Sequence, residues 1–175
     1  IPIFIGAEGP KNVTQTAEIA DGWFPLYYSP WRQDVYADQL AGAAVDFQVS
    51  VICPFVVTGP SEAEIADGLA GIQMMLAFYI GGMGAEGQNY HTKLAARMGL
   101  GDAALEIQRL FLAGDQAGAI DTVPASFADE IALVGPPERI RERLTVWRDS
   151  PVTTLMIHAS DVDGLRTAAE LVLGG

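Results

Sequence analysis

The sequence predicts an α/β fold of about four parallel strands, each followed by helix, which amounts to half of a (β/α)8 barrel with a helical insertion before the last strand. Three observations predict it. Short apolar, β-rich runs alternate with segments of helical periodicity. Proline, glycine or serine marks each strand-to-helix junction. A long stretch between the third and fourth strands carries helical patterns and no strand.

Residues 1–5, IPIFI, suit a short buried parallel strand. Pro10 fits the first position of the next helix, where its missing N–H is harmless, and Val13, Ala17 and Ala20 recur at helical spacing. Asp21-Gly22 ends that helix, and residues 23–28, WFPLYY, read as the second strand. Ser29-Pro30 opens a second helix over residues 31–44. Residues 47–57, FQVSVICPFVV, form the strongest strand, with Pro54 marking an end, bulge or edge. Ser61 starts a long helix, and Glu64 completes a capping box. Residues 88–131 hold shorter helical patterns. GPPERIRERLTVWRD, residues 135–149, is a further helix, and VTTLMIHAS, residues 152–160, is the fourth strand. Ser160 is the expected cap of a last helix ending at Leu173, with Asp163 three residues on. The chain, residues 1–175, reads as a single domain, an incomplete barrel with its helical insertion at residues 60–131.

Half of the residues are apolar and 18% are charged, which supplies a core and argues against disorder. Ten Lys and Arg against 22 Asp and Glu give a net charge of −12. Such a chain lacks the clustered cations that nucleic acid or an anionic membrane surface requires. Cys53 is the one cysteine, so no intramolecular disulfide can form, and with His91 and His158 it spells out no metal site. With no signal peptide and no apolar run of about 18 residues, the chain reads as a cytoplasmic protein without a membrane partner. It starts at Ile1 inside an apparent strand, and the expectation is that residues precede it.

The junction FIGAEGPKN, residues 4–12, is where the chain can carry chemistry. A strand-to-helix loop lies at the carboxyl end of a parallel sheet, where α/β proteins bind ligands. The first helical N–H groups lack intrahelical partners and, with the helix dipole, favour an anion. Gly6 and Gly9 let backbone approach closely, and Lys11 adds a cation. A tight turn that binds nothing is the alternative. Glu8 opposes an anion, so its side chain is expected to face away.

The stretch IPIFIGAEGPKNVTQTAEIADGW resembles the segment that opens the second half of the bacterial luciferase-like family, above all its coenzyme F420-dependent oxidoreductases. The likeness continues through FYIGGMGAEGQNYHTKLAARMG, ALVGPPERIRERL and TTLMIHASD, in order, over nearly the whole chain. The resemblance implies the C-terminal half of a (β/α)8 barrel. It implies coenzyme F420, with FMN as the alternative, at the carboxyl end of the strands, and a small organic substrate. Gly6, Ala7, Glu8, Gly9, Lys11 and Asn12 then occupy the positions that grip the cofactor's phosphate region, mainly through backbone donors. Glu8 departs from the family pattern, in which glycine or another uncharged residue is common. Contacts to the deazaflavin ring belong to the family's first four strands, so no residue here is singled out as catalytic.

The activity implied is hydride transfer between F420 and an organic substrate, or an FMN-dependent monooxygenase. The alternative is a non-catalytic half-barrel, a fragment or truncated paralogue acting through self-association. On either reading the isolated 175-residue piece is expected to be inactive and to form a homodimer. Tyr27, Tyr28 and His158 sit at strand ends, where they either wall a substrate pocket or pack. The G-x-G-x-x-G match at residues 82–87 follows a helix rather than a strand and reads as a loop, with a lid role in the family context. His91 reads as surface or local packing.

Overall fold

Ten residues from Gln48 to Val57 organise the sheet. The computed structural model describes residues 1–173. Five strands are described: β1 (Phe4–Ile5), β2 (Gly22–Trp23), β3 (Gln48–Val57), β4 (Leu133–Gly135) and β5 (Thr154–Ala159). Every pairing is parallel. β2 pairs with the first two residues of β3, β5 with Ser50 to Phe55, and β4 with Phe55 to Val57.

β3 is a nearly continuous apolar run, yet only one of its faces is packed. Val49, Val51, Cys53 and Phe55 are buried there, and burial pushes the Cys53 thiol pKa up. Register puts Ile157 of β5 beside Cys53, on that same face. The opposite face carries Ile52 beside Met156 and Pro54 beside His158. Ile52 and Met156 remain 42% and 36% exposed.

The Asp21-Gly22 turn sets the first registers. The Asp21 carboxylate accepts the Ile3 N–H at 2.7 Å, and the Asp21 carbonyl accepts the Gln48 N–H at 3.0 Å. Gly22 is required for packing, since a Cβ there would stand 2.7 Å from the Gln48 carbonyl oxygen and inside the Phe4 ring.

The chain divides into two compact units, residues 1–68 with 129 onward, and residues 69–128. The first unit holds the sheet with α1 (Pro10–Ile19), α2 (Ala37–Leu40), α8 (Pro137–Arg148) and α9 (Val162–Leu173). Asp129 takes Arg139 in two bonds, at 3.0 and 2.8 Å, and Arg143 at 3.0 Å, which fastens α8. Between the strands of this unit, α3 (Glu62–Ala77) leaves β3 through the expected capping box. There Ser61 N–H donates to the Glu64 carboxylate and Glu64 N–H to the Ser61 hydroxyl.

The second unit is helical: the rest of α3, then α4 (Tyr90–Ala95), α5 (Gly101–Leu112), α6 (Gln116–Thr122) and most of α7 (Ala125–Glu130). α3 runs on into a π turn, Phe78–Gly82. The wider turn leaves carbonyls over. Asn89 donates to those of Tyr79 and Ile80, at 2.8 Å each, and the Thr92 hydroxyl to Ile80 at 2.6 Å. Gly81 and Gly82 lie against Phe111, where a Cβ on either would fall 2.6 Å from its side chain.

Several elements differ from the sequence expectation. β4, three buried residues, was not anticipated, and the helical insertion ends before it rather than before the last strand. The strand expected over residues 23–28 stops at Trp23. Pro25 has no N–H to donate, and Tyr27 and Tyr28 are both buried instead of alternating. The helix expected over residues 31–44 is a 3-10 segment, Pro30–Tyr36, followed by the four residues of α2. Arg32 breaks it, with φ −123°, where its guanidinium turns to Glu130 at 2.6 and 2.9 Å. Asp161, not Ser160, caps α9, accepting the Gly164 N–H at 2.7 Å. The helix Glu62–Gly82 is also long and apolar enough to cross a membrane by length and composition alone, with mean hydropathy 1.3. It buries Leu69, Ile72, Leu76, Ala77 and Ile80 and leaves Met74 and Phe78 exposed.

Two substitutions test this account. Gly22→Ala should cost about 1–3 kcal/mol of unfolding free energy, read as a lower urea midpoint at unchanged slope. Asn89→Ala removes the side-chain donor to the Tyr79 carbonyl, one of the two to Ile80, and the cap of α4, and should cost about 2–3 kcal/mol. Unchanged midpoints would show that neither contact matters.

Candidate active site at the strand ends

Parallel register puts the strand-to-helix junctions of the first unit at the carboxyl ends of its strands. Their electrostatics differ. α3 opens with Glu62 and Glu64, α8 with Glu138, and α9 with Asp163 beside the capping Asp161. Each carboxylate satisfies its helix dipole and repels an incoming anion. α1 has no acidic residue in its first turn and carries Lys11 there. No side chain caps it; Gly9 occupies the N-cap position in an extended conformation, φ −77° and ψ 145°, and its carbonyl accepts the N–H groups of Asn12 and Val13 at 3.0 Å.

The loop before α1 is tied down on one side. The Ile5 carbonyl accepts the Phe24 N–H at 3.1 Å, and the Ala7 carbonyl accepts the Trp23 indole N–H at 2.8 Å. The Glu8 carboxylate accepts the Leu26 N–H at 2.6 Å, so it is directed at the neighbouring loop. Ala7 is buried, Glu8 and Gly9 are half-buried, and Gly6, Lys11 and Asn12 are exposed. Lys11 makes no ion pair among the described residues and lines a shallow hollow of ≈ 470 Å³ with Pro10, Thr14, Gln15 and Glu18. Of the six residues of the expected cradle, Lys11 alone lines that hollow.

The aromatic candidates take a different place. Tyr27 and Tyr28 are 1% and 2% exposed. Trp23 meets Tyr36 edge-on at 4.7 Å and Tyr28 at 6.2 Å, while Tyr28 stacks on Tyr36 at 6.1 Å and reaches Trp147. Burial, then the Glu8 charge, then Tyr36, raise the Tyr27 pKa well above its ordinary value; burial and Asp34 raise that of Tyr28. These phenols stay protonated and pack beneath the loop rather than line an open pocket. Trp31 lies under the Arg143 guanidinium, 4.6 Å from the ring centre.

His158 is exposed near the carboxyl end of β5, in register with Pro54. A second hollow, of ≈ 330 Å³, opens at that end between Phe55, Val57, Ala159, Asp161 and Asp163. In the helical unit, His91 is half-buried with its ring edge toward Tyr79 at 5.2 Å, and burial lowers its pKa. Among the described residues no group of His, Cys, Asp and Glu could hold a metal ion. The sequence could not reveal the Glu8–Leu26 bond or the burial of Tyr27 and Tyr28, since both depend on where residues 23–28 cross the loop.

Comparison with known proteins agrees with this architecture. A provisionally named coenzyme F420-dependent oxidoreductase of Mycobacterium tuberculosis is 36% identical over 181 residues, which cover 98% of this chain and 51% of that protein. The coenzyme F420-dependent tetrahydromethanopterin reductase of Methanopyrus kandleri superposes with a TM-score of 0.70 at 19% identity, over 99% of this chain and 50% of that one. An F420-dependent secondary alcohol dehydrogenase, solved with an F420–acetone adduct, superposes with a TM-score of 0.57 at 12% identity, over 99% and 48%. The chain spans about half the length of each of these relatives. The half-barrel architecture expected from the sequence therefore stands. Residues 1–154 match the family model described as luciferase-like monooxygenase, and the chain belongs to that family.

Proposed function

We propose that the chain is the phosphate-gripping half of a coenzyme F420-dependent oxidoreductase that acts on a small organic substrate. It forms one luciferase-like domain, into which residues 69–128 are inserted. One observation carries the reading: among the described residues, of the four α-helices entered directly from a strand, α1 alone has a first turn without a carboxylate, and it carries Lys11. The donor set suits a phosphate. The helix end is uncapped, the Lys11 ammonium is unpaired among the described residues, and the Glu8 carboxylate is engaged elsewhere.

When bound, the cofactor supplies the hydride chemistry. Residues 6–9 would hold its phosphate region by backbone, and Lys11 and Asn12 would flank it. His158, exposed near the end of β5, would face the substrate side. Tyr27 and Tyr28 would support the cradle from beneath. The relatives' names favour F420 over FMN.

The intact protein, titrated separately with F420 and FMN and followed by fluorescence, should bind F420 saturably and FMN more weakly. Binding of neither would end the redox reading. Gly9→Asp places a carboxylate at the helix N-cap, a position that normally stabilises a helix. Thermal stability should hold or rise while F420 affinity falls roughly tenfold or more. Equal affinity would mean that the site lies elsewhere.

A second reading follows from the open face of the sheet. Phe4, Ile52 and Met156 are 38%, 42% and 36% exposed, so the chain alone would self-associate through that face. Light scattering should find a concentration-dependent dimer. A monomer that persists at high concentration would overturn it.

A further inference from the structure

We propose that Glu8 is a positioning residue whose carboxylate latches the loop before α1 to the loop after β2, holding the backbone of residues 6–9 in a ligand-ready shape. This rests on the reading of that loop as an anion cradle. A carboxylate beside such a cradle should weaken it by repulsion. The geometry points the other way, because Glu8 Oε1 accepts the Leu26 N–H at 2.6 Å, the short length of a charge-assisted bond.

The bond continues a series. The Ile5 carbonyl accepts from Phe24, the Ala7 carbonyl from the Trp23 indole, and the Glu8 side chain from Leu26. β1 and β2 are only two residues each, so their ladder ends at Ile5 and Trp23. The three bonds carry the attachment three residues past the strand, to Glu8, the residue before the N-cap Gly9. The last of them is the only one made by a side chain of the cradle itself.

Leu26 is half-buried, so losing its acceptor leaves a poorly solvated N–H and a freer loop. A loop that must be ordered on binding lowers affinity, and one already ordered does not. The Glu8 charge, after burial, also raises the pKa of the Tyr27 phenol, so the carboxylate lies near that buried ring. Glu8 thus contributes by its hydrogen bond, and its charge is tolerated because it is turned to Leu26.

Two variants of the intact protein separate the two roles, which make opposite predictions for Glu8→Ala. Glu8→Ala removes bond and charge together; Glu8→Gln keeps an acceptor oxygen and removes the charge. As a latch, Glu8→Ala should weaken F420 binding about tenfold, while Glu8→Gln should match or exceed the wild-type affinity. Amide hydrogen exchange in the ligand-free protein gives a readout that needs no cofactor. The Leu26 N–H should be protected in the wild type and in Glu8→Gln, and exchange fast in Glu8→Ala.

Tighter or equal binding by Glu8→Ala would overturn the latch and leave simple repulsion. Glu8→Gln failing as badly as Glu8→Ala would overturn it as well. If the wild type binds neither F420 nor FMN while Leu26 stays protected, the anion cradle itself is wrong and the bond is structural only, which overturns the positioning role.

Discussion

The sheet hangs on β3. Its ten residues hold β2 at one end, β4 at the other and β5 between them, and β1 is attached only through β2. Each of those partners is six residues or shorter, too few to define a sheet without a common template. Because all the pairings are parallel, one register decision on β3 sends every strand's carboxyl end the same way. A one-residue slip would exchange Cys53 and Ile157 for Ile52 and Met156 on the helix-covered face. The chain spends its strongest apolar run on that decision, with Val49, Val51, Cys53 and Phe55 all buried.

Shared orientation does not make the strand ends equivalent. A chain of net charge −12 has carboxylates to spare, and it places them in the first turns of α3, α8 and α9. There they stabilise the helices and close those ends to anions. At α1 the order is inverted: glycine at the cap, proline and lysine in the first turn. That helix forgoes the dipole stabilisation that an aspartate would supply, worth about 0.3–1 kcal/mol. A local sacrifice of this kind is where sequence-level consistency is expected to yield to function. The nearby Glu8 fits the same logic only because a backbone N–H takes up its charge.

Much of this was legible in the sequence because it is written in local chemistry. Pro10 after Gly9 fixes a helix start, Ser61 with Glu64 fixes another, and the apolar run of β3 stands out in any window. What escaped was decided at a distance. β4 is three residues with no period to detect, and it forms because Phe55 to Val57 offer it a ladder. Residues 23–28 look like a strand by composition. Residues 24–28 leave the sheet because Trp23, Tyr28, Tyr36 and Trp147 assemble one aromatic cluster from three separate segments. The cap of α9 shifted by one residue between two equally suitable types, Ser160 and Asp161. In the site, the Glu8 side chain was expected to face away, but its partner could not be read, because the Leu26 N–H is 18 residues away.

The uncovered face of the sheet follows from the same register. Parallel pairing places Ile52 beside Met156, on the side that no helix of this unit covers; in a complete barrel that side faces the axis and is filled by layers of side chains. β1 pairs only with β2 and β5 only with β3 among the described strands, so both outer strands keep an unpaired edge. An exposed apolar face flanked by two free parallel edges is costly in water, and each feature alone would invite association. Together they define a complementary shape: further parallel strands that pair with both edges at once and bring apolar side chains to the axis. A helix could cover the face but would leave the edges open, and a single added strand could pair with one edge but would leave the face exposed. The relatives, twice as long as this chain, have the length to contain a second set of strand–helix units.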